Sequence, residues 1–241
     1  MALDEQLVCP HCASTIAFNA SRDWITNPRI TRWADHKRLM RVGAFAVYYR
    51  DSTVAQMVHR LKYNGQYDLG QWMGRLAATE LGESGLFDDV DLLLPIPLSR
   101  SRRWKRGYNQ AALIARGISE LTGIPVRTDI LCRQVDNVSQ TRVEFWQRYV
   151  NARNIFAWHR RANKEELRGK HVMLVDDVMT TGTTMLSAMQ VLEEVPELRL
   201  SVFVWSWTHV NPNRMLGSVL QSVAASVDTQ EDEQQQSEAP E

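Results

Sequence analysis

Apolar and polar positions along the chain fall into two alternating kinds of segment. Ala44–Tyr49 is a short run of β-compatible residues and predicts a strand. In Asp51–Tyr63 the apolar residues Val54, Met57, Val58 and Leu61 stand at i, i+3, i+4 and i+7, which predicts a helix with one apolar face. Gln66–Leu81 is a second helical stretch, and Val90–Pro97 is a short apolar strand ended by prolines. A basic loop follows, then a helix over Asn109–Leu121, with Asn109 suited to cap its start and Gly123 its end. Val126–Cys132 is strand-like, Val172–Val175 is a strand apolar on both faces, Thr183–Glu194 is helical and Leu200–Trp205 is a further strand. Continuous apolar strands separated by helices predict an α/β fold: a mainly parallel sheet with helices on both faces. Ligands of such sheets bind at the carboxyl ends of the strands.

Length and charge divide the chain further. Its 241 residues suffice for one α/β domain over 42–210 with a small N-terminal region, 1–41, and a tail, 211–241. From Ser226 the tail carries six acids and no base, and with so little to bury it is expected to be disordered. The net charge of zero therefore conceals a body of 22 acids and 28 bases, net +6. Three cysteines are too few for a disulfide framework, and Cys9-Pro-His-Cys12 has metal-ligand or redox spacing, which suits a reducing compartment. No signal-peptide pattern is present and no apolar run approaches the roughly 20 residues of a membrane helix, so a cytoplasmic location is expected.

The stretch VDDVMTTGTT, residues 175–184, places two carboxylates directly before a run of hydroxyls and one glycine. It follows a buried strand and opens a helix, so backbone amides and up to four hydroxyls converge on one point, suited to a phosphate monoester. Gly182 lets the backbone approach that phosphate, and the helix dipole favours its charge. Asp176 and Asp177 are wrong for phosphate. They suit two neighbouring ribose hydroxyls, or a magnesium ion held through water. A phosphate-binding Walker loop needs a lysine after its last glycine and a dinucleotide fingerprint needs three spaced glycines; both are missing.

A second stretch follows the other well-marked strand. Arg100, Arg102, Arg103, Lys105 and Arg106 place five cations in seven positions around Trp104. Arg106, Gly107 and Tyr108 can offer a guanidinium and backbone amides to a pyrophosphate. The density also suits a nucleic-acid backbone, with Arg100, Arg102, Arg103 and Lys105 on phosphates and Trp104 as a stacking surface. Both readings stay open.

The acid pair with its Thr-Gly loop resembles the 5-phosphoribosyl-1-pyrophosphate (PRPP) signature of type I phosphoribosyltransferases. Taken with Pro95-Ile-Pro-Leu98, Arg106-Gly-Tyr-Asn-Gln110, Leu61-Lys-Tyr-Asn-Gly65, Arg148, Asn151 and Phe156, it is similar to the ComF/GntX family of competence-associated phosphoribosyltransferase-like proteins, over roughly Cys9–Trp207. The resemblance implies a type I phosphoribosyltransferase fold, PRPP and Mg2+ as ligands, and a role in natural transformation. There the family is thought to assist entry of single-stranded DNA beside a helicase-like ATPase, at the cytoplasmic face of the inner membrane. In residues it implies Asp176 and Asp177 on the ribose hydroxyls and magnesium, and Thr180, Thr181, Gly182, Thr183 and Thr184 on the 5′-phosphate. Arg106, Gly107 and Tyr108 would serve the pyrophosphate.

Two positions depart from the expected pattern. Members of that family typically begin with two Cys-x-x-Cys pairs forming a zinc ribbon, whereas only Cys9 and Cys12 are present, so the resemblance implies that 1–41 is a remnant of that ribbon and a hood over the acceptor, its zinc site incomplete unless His11, His36 or another subunit contributes. Oxopurine-salvage enzymes place an aspartate base at the first position of the Thr-Gly loop; Thr180 cannot take a proton at neutral pH, so that chemistry is disfavoured. Lys62 and Tyr63 are placed to reach the site, although the end of an amphipathic helix also accounts for them, and Trp205 and Trp207 suit packing more than base stacking. Arg133, Gln140 and Arg148 belong to a segment that forms a lid in similar folds. A PRPP-dependent transferase and a DNA-handling module on the same fold remain side by side.

Overall fold

A computed structural model describes residues 7–16, 36–63, 65–134 and 155–208. Gln140, Arg148, Asn151, Asn64, the tail 211–241 and most of the region 1–41 lie outside the described residues.

The central strand is β5 (His171–Met179), flanked by β2 (Leu92–Pro95) and β6 (Arg199–Thr208), with β1 (Leu39–Tyr48) beyond β6. The order β1-β6-β5-β2 is parallel at each pairing, so all four carboxyl ends share one edge. β1 and β6 each run several residues beyond the predicted apolar runs. Their ends carry polar residues such as Arg41 and Ser206 that ladder hydrogen bonds hold in the sheet regardless of hydropathy.

Alternation along the strands divides the core in two. Met173, Val175, Phe203 and Trp205 face one layer, against α2 (Thr53–Tyr63), α3 (Tyr67–Leu81) and α5 (Gln110–Thr122). Val172, Leu174, Val202 and Val204 face the other, against α6 (Thr183–Leu192). All four periodic positions of α2, Val54, Met57, Val58 and Leu61, are buried as predicted. α3 and α5 pack backbone to backbone: a Cβ on Gly117 would fall 2.0 Å from the Gln71 carbonyl oxygen, and one on Gly74 2.1 Å from that of Ile114. α1 (Pro10–Ser14) rests on α2, with Thr15 Oγ1 2.7 Å from Thr53 Oγ1 and Arg60 Nη1 donating to the Leu7 carbonyl at 3.2 Å.

Two predicted elements differ. Val126–Cys132 is not one strand: Val126 makes an isolated parallel bridge to Leu93, and β3 (Leu131–Arg133) pairs antiparallel with β4 (Phe156–Trp158) in a separate small sheet. The run of cations is not a loop but a helix, α4 (Arg100–Arg106). Ser99 caps its start by accepting from the Arg102 amide, and Gly107 ends it in the left-handed conformation at φ +79°. Arginine and lysine are good helix formers, so a local cap and stop suffice to wind one short helix from a charged run.

Candidate functional site

At the shared carboxyl edge, β5 runs through Asp176 and Asp177 and releases the chain into Thr180–Gly182. Gly182, at φ +78°, is the N-cap of α6 and supplies no capping side chain, so the first amides of α6 are presented rather than covered. Thr181 and Thr183 hydroxyls lie 2.9 Å apart and set the turn. The structure thus brings Thr180, Thr181, Gly182, Thr183 and Thr184 together at a helix N-terminus directly behind the acid pair, an arrangement able to receive a tetrahedral anion.

Successive strand residues point to opposite faces, so the two acids differ in surroundings. Asp176 is half-buried on the α6 side, and its Oδ1 accepts from the Asp177 amide at 2.9 Å. Burial, and then the charge of Asp177, push its carboxyl well above the usual carboxylate range. Asp177 is buried on the other side; its Oδ1 accepts from the Val178 amide at 2.8 Å, and Oδ2 forms an ion pair with Lys62 Nζ at 2.9 Å. The sequence places Lys62 within reach of the site but names no partner for it. The contact links positions on different elements, and the signal that would have found it is the lysine's place in Leu61-Lys-Tyr-Asn-Gly65.

The Arg106–Gln110 segment stands against the same end of α2. Tyr108 is buried, its phenol donates to the Leu61 carbonyl, and burial raises its pKa. Gln110 Nε2 reaches the same carbonyl at 3.4 Å, and its Oε1 accepts from Arg106 Nη1 at 3.1 Å. The Arg106 guanidinium also lies 5.6 Å from the centre of the Tyr63 ring. The Gly107 amide donates to the Arg103 carbonyl at 2.8 Å. From this segment Arg106 therefore presents the charge, while Gly107 and Tyr108 hold it in place. Asn109 ties it to the sheet by donating from Nδ2 to the Ile96 carbonyl at 2.9 Å, just beyond β2.

Arg100, Arg102, Arg103 and Lys105 are exposed on α4, and Trp104 projects with 92% of its surface accessible. Trp205 and Trp207 are buried, with Trp205 Nε1 donating to the Met73 carbonyl at 3.1 Å, so they pack.

Among the described residues, no three His, Cys, Asp or Glu side chains gather as a metal cage. Two adjacent carboxylates nevertheless fit magnesium, which keeps several waters and takes further oxygens from substrate phosphates. Zinc fits less well. Cys9 and Cys12 lie together, Cys9 Sγ accepting from the Cys12 amide at 3.3 Å, but His11 and His36 do not complete a group, and His36 Nε2 lies 2.8 Å from Glu193.

Comparison with known proteins agrees with this geometry. Residues 111–203, which include β5 and the start of α6, match the phosphoribosyl transferase domain model. Competence protein F of Haemophilus influenzae is 25% identical over 78% of this chain and 79% of its own. The DNA utilization protein YhgH of Escherichia coli K12 is 26% identical over 65% of this chain and 66% of its own. Competence protein ComFC of Bacillus subtilis is 26% identical over 78% and 72% respectively. Solved structures include a purine phosphoribosyltransferase from Pyrococcus horikoshii, 16% identical, with TM-score 0.32 over 57% of this chain and 85% of that one. This chain is thus similar to the competence protein F, ComFC and YhgH proteins, and its residues 111–203 resemble a phosphoribosyl transferase domain.

Proposed function

We propose that the protein binds PRPP with magnesium at the carboxyl edge of the sheet and transfers its phosphoribosyl group to a nitrogen acceptor, in the setting of DNA uptake. The carrying observation is the succession of Asp176 and Asp177 and the uncapped, Gly182-opened start of α6 on one strand end. Thr180, Thr181, Gly182, Thr183 and Thr184 receive the 5′-phosphate through amides and hydroxyls. Asp176 and Asp177 accept hydrogen bonds from the two ribose hydroxyls and provide the oxygens that would hold magnesium. When bound, magnesium would supply positive charge for the pyrophosphate as it leaves.

The acceptor nitrogen's lone pair forms the new bond to the anomeric carbon as the carbon–oxygen bond breaks, and that electron pair departs with pyrophosphate. Positive charge builds on the ribose ring in between. Arg106, fixed by Gln110 and the Tyr63 ring, meets the leaving anion without reorganising. Thr180 stands exposed and cannot act as a base, so the acceptor must present a nitrogen that is nucleophilic as it arrives.

Calorimetry with PRPP and magnesium tests the site. Asp176→Asn with Asp177→Asn should lower affinity a hundredfold or more, since each carboxylate supplies charge-assisted hydrogen bonds of roughly 1.5–3 kcal/mol. Unchanged binding would remove the assignment. Pyrophosphate release against a panel of base and amine acceptors tests turnover.

A second reading keeps the fold as a single-stranded-DNA-handling or regulatory module working beside a helicase-like ATPase. The observation in its favour is Trp104, fully displayed among the cations of α4. The reading places the protein at the cytoplasmic side, whether free or peripheral at the inner membrane; among the described residues no helix is long and apolar enough to cross a membrane.

A further inference from the structure

We propose that Lys62 is an exchangeable cation of the site: it neutralises Asp177 in the conformation seen here, and turns to the pyrophosphate when ribose hydroxyls and magnesium take the carboxylate. The inference rests on the PRPP reading above and adds to it a residue and a movement.

The two oxygens of Asp177 are unequally committed. Oδ1 is held by the Val178 amide at 2.8 Å. Oδ2, buried from solvent, meets the Lys62 ammonium at 2.9 Å and, among the described residues, no well-aligned hydrogen-bond donor. Oδ2 is thus the less committed oxygen for an incoming ribose hydroxyl, and it is the one that Lys62 covers. A magnesium ion near the same carboxylate would also stand close to the ammonium, where like charges repel strongly in partly buried surroundings. Lys62 is free to leave. Its charge sits at the end of a flexible four-carbon stem, and 22% of its side chain remains exposed.

Its neighbours indicate where it goes. Leu61, the preceding residue, receives Tyr108 and Gln110 on its carbonyl; Tyr63, the following one, lies beneath the Arg106 guanidinium. Lys62 thus holds the acid pair with its ammonium while the residues on either side of it touch the segment assigned to pyrophosphate. One ammonium then offsets the paired carboxylates before PRPP arrives and adds to Arg106 afterwards. A merely structural ion pair would hold Asp177 in both states.

The two roles separate by ligand. With magnesium present, calorimetry on the full chain should show that Lys62→Met weakens PRPP and inorganic pyrophosphate by tenfold to a hundredfold. It should leave ribose 5-phosphate unchanged or tighter, and Lys62→Arg should retain most of the pyrophosphate affinity. Equal losses for all three ligands, or no loss for any, would overturn the exchange. In the wild-type chain, acylation of Lys62 followed by mass spectrometry should quicken with magnesium and ribose 5-phosphate and slow with PRPP. A rate that moves the same way with both ligands would also overturn it, whatever the variant's folding. Failure of the wild-type chain to bind PRPP at all would instead remove the underlying site reading, and the proposal with it.

Discussion

The Tyr108 phenol donates to the Leu61 carbonyl across 47 positions of sequence, at 2.5 Å, and so fastens the end of α2 to the turn that follows α4. The bond is buried, and the Tyr108 ring packs on Tyr67 at 4.4 Å between centroids. Tyr108→Phe keeps the packing and removes the bond, leaving the Leu61 carbonyl to Gln110 alone at 3.4 Å. Urea denaturation should show a loss of about 1–1.5 kcal/mol with an unchanged slope. Loss of PRPP affinity beyond what folding explains would show that the bond also seats Lys62 and Arg106.

His171 provides a pH test at the opposite edge of the sheet, away from the candidate site. Its ring is fully buried, with Nε2 2.8 Å from Ser201 Oγ and Nδ1 3.1 Å from the Asp89 carbonyl. Burial lowers its pKa, and Arg199 and Arg41 add to that; the carboxyl of Asp89, 3.5 Å away, opposes it. The native state therefore binds fewer protons here than the unfolded chain. Stability from this group is complete above the unfolded pKa of about 6.5 and falls as pH drops below it, by up to about 1.4 kcal/mol per unit until the depressed folded value is reached. His171→Gln should flatten the fall between pH 7 and pH 5 in denaturant titrations. An identical slope in the variant would show that His171 does not carry the loss.

Legibility in the sequence followed the range of the interaction. Val172–Val175 and the four apolar positions of α2 were readable because burial imposes a local period, and Asn109 and Gly123 because caps act within a few residues. The proposed phosphate cradle is legible for the same reason: strand, acids, glycine and helix start are contiguous. The helix in Arg100–Arg106 was hidden behind its charge, although Ser99 and Gly107 were signals in plain view. Lys62 was not legible as a partner of Asp177, because only the packing of α2 against the end of β5 brings them together. The anchoring of the Tyr108 phenol depends in the same way on a contact with Leu61.

The N-terminal cysteines are testable by reactivity and by metal content. Cys9 is exposed, and hydrogen bonds from the Cys12 amide and thiol hold its pKa below the ordinary thiol value, while the Cys9 sulfur raises that of Cys12. Iodoacetamide at neutral pH should modify Cys9 first, as read by peptide mass spectrometry. The purified chain should hold less than one tight zinc, because two thiolates leave a tetrahedral ion incomplete. Stoichiometric zinc that disappears in Cys9→Ser would mean that ligands from a second chain, or from outside the described residues, close the site.

Single-stranded DNA should bind weakly, through α4. The helix exposes Arg100, Arg102, Arg103 and Lys105 in a body of net charge +6 before the acidic tail is counted, and Trp104 stands free to stack on a base. Each phosphate neutralised contributes about −0.7 to the slope of log affinity against log salt. Arg102→Ala with Arg103→Ala should therefore flatten that slope by about 1.4 as well as weaken binding, and Trp104→Ala should weaken it with little change of slope. Fluorescence anisotropy of a labelled oligonucleotide across a salt series separates the two effects. Arg106 ends this helix and faces Tyr63 beside the acid pair, so PRPP should compete with DNA if both use it. Simultaneous binding would place the DNA on the outer cations alone. Affinity unchanged by all three substitutions would remove α4 as a DNA surface and leave the phosphoribosyl site to account for the protein's chemistry.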